Sequence, residues 1–129
     1  MPRHYALTTV FVVSLAVASE AFATWNWMRD ATLAQFNDAD WSVLKATARE
    51  TLDSADDGKQ VNWANEDTGT KGAMKAIMTF QYEGQNCRRM AFLNINKNGE
   101  RGVSNYNLCR QPDGSWAFVA DSVVTDHGN

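Results

Sequence analysis

At 129 residues and 44% hydrophobic composition, the chain is the size of one domain and apolar enough to bury one small core. Its 12 basic and 15 acidic residues leave a formal charge of −3, which argues against a nonspecific nucleic-acid binder. The 2 histidines, His4 and His127, stand near the two ends, so the interior has no histidine for a catalytic triad or a zinc site.

Residues 1–23 read as a secretory signal. Arg3 and His4 supply a short basic start, Ala6 to Ala18 an apolar run, and Ala21-Phe22-Ala23 a small-x-small cleavage site. The apolar run is shorter than the ~20 residues a spanning helix needs, and Glu20 ends it. No later run is apolar enough to cross a bilayer as a helix, so no transmembrane segment is expected once the signal is removed. Residues 24–36 carry Trp25, Trp27, Met28, Leu33 and Phe36, an apolar N-terminal arm expected as a short helix or a segment packed on the domain. A flexible tether is the looser reading, disfavoured because tethers are usually polar.

Asn37-Asp38-Ala39-Asp40 has the form of a helix start, with Asn37 as cap and two acids at the positive end of the helix dipole. Trp41, Leu44, Ala48 and Leu52 follow at helical spacing, while Lys45, Arg49 and Glu50 fall off that stripe. The spacing predicts one amphipathic helix over 38–53. Ser54 to Gly58 stops it. As a calcium loop starting at Asp53 this stretch fails, because Ala55 and Ala64 stand where ligands are needed.

Short strands come next: 60–63, then a long one from Gly72 to Tyr82, then 86–95, 101–110 and 115–119. Each is separated from the next by a turn rich in glycine, asparagine or aspartate. Turns this short join antiparallel neighbours. On the long strand, Met74, Ala76, Met78, Phe80 and Tyr82 alternate with more polar residues and are expected to face the core. The tail after Asp121 is polar and expected to fray.

The only cysteines are Cys87 and Cys109, too far apart for a Cys-x-x-Cys motif. An even pair in an exported chain reads as a structural disulfide. A hairpin turning at Lys97-Asn98-Gly99 sets the two nearly opposite each other. The expected fold is therefore α+β: an N-terminal amphipathic helix packed on an antiparallel β-meander of about five strands, with one disulfide, over residues 37–120. A polar tail, 121–129, follows.

Several pieces together resemble the 17 kDa outer-membrane surface antigen family over roughly residues 37–119. They are the Asp-rich helix start with Leu52 near its end, Gly58…Trp63-x-Asn65…Thr68-Gly69-x-x-Gly72, Tyr82…Gly84-x-x-Cys87-Arg88, and Cys109-Arg110-x-x-Asp113-Gly114-x-Trp116. The resemblance implies an exported α+β envelope domain with no established activity. Many members carry a lipid-modified cysteine at the cleavage site, and longer ones a glycine-rich membrane-interacting segment. Here Ala23-Thr24 stands at the site and no cysteine precedes Cys87. The expected location is periplasmic, or at the cell surface in association with the outer membrane, without a lipid anchor.

For function, the residues point away from catalysis. Asp53, Asp56, Asp57, Glu66, Asp67 and Asp113 all lie in turns, where acids serve as solvated caps. No metal or cofactor is expected. Arg88, Arg89 and Arg110 are the leading polar residues, since guanidinium groups bind carboxylate or phosphate through two donors at once. Arg88 and Arg110 share a face of the hairpin and are candidates for holding an anionic envelope polymer or a partner protein's acidic loop. The competing reading pairs them with Asp113 and Glu83, or with loop carbonyls. Trp63 and Trp116 are candidates for a stacking platform. The expectation is a non-catalytic binding or structural module, with a periplasmic hydrolase, or an inhibitor of a wall-degrading enzyme, as the alternative.

Overall fold

The computed structural model describes residues 27–125. The expected signal 1–23, residues 24–26 of the arm and residues 126–129 of the tail lie outside them. Helix α1 runs Asp38–Ser54 and begins in a capping box. The Asn37 side chain accepts from the Asp40 N–H at 2.8 Å, and the Asp40 carboxylate accepts from the Asn37 N–H at 3.0 Å. Two helix-end donors are thereby satisfied. Leu44, Ala48 and Leu52, four residues apart, are all buried, as the stripe requires.

Five strands follow: β1 Val61–Asn65, β2 Thr70–Tyr82, β3 Gln85–Ile95, β4 Arg101–Arg110 and β5 Trp116–Val119. They form one sheet in sequence order, each antiparallel to the next. The α+β meander expected from the turns is borne out, and so is the disulfide. Cys87 lies directly opposite Cys109 across β3 and β4 and is bonded to it. Tight reversal between those strands needs a left-handed residue, which Gly99 supplies with φ 80°.

One expectation on β2 needs correction. Met74 and Ala76 do face the core, but the pairing with β3 slips between Ala76 and Met78. The extra residue at this β-bulge shifts the side-chain alternation by one. Met78 is consequently 47% exposed, and Thr79 rather than Met78 comes opposite Arg88. A second correction concerns the tail. Residues Asp121–Thr125 form a short helix, α2, instead of fraying. The Asp121 carboxylate is held by Arg89 at 2.8 Å and by the Asn107 amide at 2.7 Å.

Alternation along the strands sends Met74, Met90, Phe92 and Leu108 to one face, where they are buried. Helix α1 covers this face over β1 and β2. The arm covers it over β3 and β4, through a 3-10 turn at Ala31–Gln35 and the residues before it. Met28 and Leu33 enter the core. Trp27 meets Tyr106 edge-on at 4.8 Å and stacks on Phe118 at 5.5 Å. The Asp30 carboxylate fills the space above Gly102, where a Cβ would stand 1.9 Å from it.

Candidate functional site

Arg88 lies on the covered face and is buried, directly beneath the end of α1. Its Nε donates to Thr79 Oγ1 at 3.1 Å. One terminal nitrogen donates to the Thr51 and Leu52 carbonyls, each at 3.0 Å. The other donates to the Ala55 carbonyl at 2.6 Å and to the Asp57 carboxylate at 2.8 Å. These five bonds match the five N–H donors of a guanidinium. Arg88 therefore caps the helix, supplying donors to carbonyls at its negative dipole end, of which Thr51 also accepts from the Ala55 N–H. Its expected role toward an external anion is corrected on that ground. The competing pairing is found in altered form, with helix-end carbonyls in place of loop carbonyls and Asp57 in place of Asp113 or Glu83. Hydrogen bonds from Arg88 and then Thr79 hold the Asp57 carboxyl below the usual aspartate range.

Trp63 is also corrected. It is 6% exposed, lies over Gly72 and meets Phe36 edge-on at 5.9 Å. It sits on β1 and Trp116 on β5, at opposite edges of the sheet, so the two form no common platform.

Arg110 and Trp116 do come together. They are register partners across β4 and β5, with the guanidinium 5.6 Å from the indole ring centroid. Asp53, at the end of α1, organises the group. It accepts from the Trp116 indole N–H at 2.9 Å and lies 3.8 Å from Arg110 and 3.9 Å from Arg49. Two arginines thus share one carboxylate, and their side chains stay 45% and 71% exposed. Such exposed pairs add little to stability, and both guanidinium groups remain accessible from solvent. Beside them Asp113 closes its own turn on Ser115. The Ser115 hydroxyl and N–H lower its carboxyl, helped least by the charge of Arg49.

Sequence reasoning weighed Asp53 only as a calcium or catalytic acid and did not single out Arg49. The signal for both was the i, i+4 spacing of Arg49 and Asp53 on a helix end. Among the described residues, no group of three or more histidine, cysteine or acidic side chains is placed to hold a metal.

Residues 50–117, from the last turns of α1 into β5, match the family described as 17 kDa outer membrane surface antigen. The 17 kDa surface antigen of Rickettsia prowazekii is 33% identical over 84 residues, which cover 64% of this chain and 52% of that protein. The proteins of the same description from Rickettsia japonica and Rickettsia conorii are each 31% identical, over 87 and 84 residues. These alignments cover 67% and 64% of this chain, and 54% and 52% of those proteins. The chain thus spans about half the length of the curated relatives it matches. No solved structure matches it.

Proposed function

The chain belongs to the 17 kDa outer membrane surface antigen family, and from that premise we propose that it is a non-catalytic, exported envelope module that holds an anionic partner. The contact is the patch where Arg49, in the last turns of α1, meets Arg110 of β4 and Trp116 of β5. The observation that carries this reading is the pair of arginines sharing the single carboxylate of Asp53, with the Trp116 ring beside them. Guanidinium donors and an aromatic face suit a carboxylate- or phosphate-bearing polymer, or an acidic loop. The absence of catalysis is supported by the work the acids already do. Asp40 caps α1, Asp57 pairs with Arg88, Asp113 closes a turn, and Asp53 binds Trp116. An envelope location is supported by the family description, and no helix among the described residues is long and apolar enough to cross a membrane.

The test is crosslinked recovery of partners from native envelopes with the parent chain and with Arg49→Ala/Arg110→Ala. Both side chains are exposed, so circular dichroism should match the parent. Recovery should fall about tenfold and should also weaken with added salt. Undiminished recovery overturns the reading. Hydrolysis of wall material, or inhibition of a wall-degrading enzyme, by the purified protein would replace it with the enzymatic alternative.

A further inference from the structure

The face of the sheet turned away from α1 and the arm has its own chemistry. The strand register lays it out in rows. One row runs Ala64, Lys71, Ile95, Arg101; the next runs Asn62, Ala73, Leu93, Val103; a third runs Lys75, Ala91, Asn105. The uncovered face of an antiparallel sheet is ordinarily polar. Here the middle row is apolar from β2 to β4, and Val103 is 75% exposed. Two hollows lie along it. One, of about 470 Å³, has Lys71, Ala73, Leu93 and Ile95 in its wall, and one of about 120 Å³ has Ala73, Lys75 and Val103. They meet along Ala73 and Leu93 to make one shallow trough.

Charge on this face opposes that of the molecule. The chain is net −3, yet the three rows carry three cations, Lys71, Lys75 and Arg101, and no acid. All three cations are exposed. They bracket the apolar row, two on one side and one on the other. Apolar side chains ringed by unshared positive charge suit the boundary of an anionic bilayer, where apolar groups enter the acyl region and cations meet headgroup phosphates.

We infer that the uncovered face of the sheet docks on an anionic lipid surface, inserting Leu93, Ile95 and Val103 while Lys71, Lys75 and Arg101 engage the headgroups. The site is separate from the Arg110 patch and does not depend on it. Each basic residue near such a surface strengthens partitioning roughly fivefold, so replacing all three should weaken it about 100-fold.

The experiment is cosedimentation of the exported protein with phosphatidylglycerol-containing vesicles and with pure phosphatidylcholine vesicles. All variants are prepared in the same form, so that residues before the domain contribute equally. The parent should partition onto the anionic vesicles and much less onto the neutral ones. Lys71→Gln/Lys75→Gln/Arg101→Gln should lose this about 100-fold, and Val103→Asp at least severalfold, both with unchanged circular dichroism. Arg110→Ala should bind like the parent. Equal binding to neutral vesicles, parent-like binding by the triple variant, or undiminished binding by Val103→Asp overturns the inference. Loss of binding in Arg110→Ala would also overturn it, moving the lipid contact to the other site.

Discussion

Asp40 shows how much one carboxylate can organise. It is 1% exposed and completes the helix cap. It also accepts from the Asn65 amide at 2.8 Å and from the hydroxyls of Thr68 and Thr70 at 2.7 and 3.1 Å. The start of α1 is thereby fastened to the turn between β1 and β2. Burial pushes the Asp40 carboxyl up, but the hydrogen bonds from Asn37, Thr68, Asn65 and Thr70 outweigh it and leave the group below the ordinary value of 3.8. A carboxyl depressed in the folded state contributes stability above its unfolded value, and that contribution is lost as pH falls through the folded one. Asp57 and Asp113 are lowered too and act with the same sign. Stability should therefore hold near neutrality and fall as pH drops below about 4. Asp40→Asn should be less stable at pH 7 and show a flatter acid limb, measured by urea unfolding across pH 2–7. An acid limb as steep as the parent's would contradict this account. The cap itself was legible in the sequence, because Asn37 and Asp40 stand three apart before an apolar stripe. The bonds to Asn65, Thr68 and Thr70 were not, since they span 25 to 30 residues.

Among the elements, α1 and β3 depend on each other through Arg88. Removing this side chain strips partners from three carbonyls and from Asp57. Arg88→Met keeps apolar bulk and loses every donor, so it isolates the polar contribution. Breaking buried charged hydrogen bonds costs a few kcal/mol, and Arg88→Met should lose roughly 3 kcal/mol in chemical denaturation. A loss under about 1 kcal/mol would show that the guanidinium is not what anchors the helix end. Nothing local marked Arg88 as a cap, since its carbonyl partners lie 33 to 37 residues upstream. The bulge in β2 that aims Thr79 at Arg88 was hidden for a related reason. Bulges follow from pairing with a second strand, and Met78 and Phe80 continue an unbroken alternation in the sequence. The meander was readable because its turns are written in glycine and asparagine. The disulfide was readable because its hairpin has an obvious pivot. In the chain-entropy account, that bond stabilises the fold by about 3 kcal/mol.

At the scale of the whole molecule, one face of a five-stranded sheet is roofed by two separate pieces, α1 and the arm. The arm's apolar composition favoured packing over a flexible tether without deciding it, and could not say where. Gly102 records the answer, because the Asp30 carboxylate occupies the volume of any larger side chain there. Gly102→Ala should lift the arm while leaving the disulfide-linked strands paired. The expected result is faster proteolytic cleavage near Arg29 and altered emission from Trp27, with the far-ultraviolet signal of the sheet kept. Unchanged cleavage would mean that Asp30 can be displaced without moving the arm. Arg101, Lys71 and Lys75 were visible in the sequence only as scattered charges. Their gathering on one side of the sheet depends on a register that spans three strands.

The arm's placement also orders events in time. The Arg29 N–H donates to the Tyr106 hydroxyl, 77 residues downstream, and Trp27 closes against Phe118 on the last strand. A chain emerging from its N-terminus presents these aromatic residues long before their partners exist. Closing so distant a loop carries an entropic cost that only the finished sheet offsets. A segment made well before the sheet is thus among the last to settle, and until then it is a greasy handle within reach of chaperones.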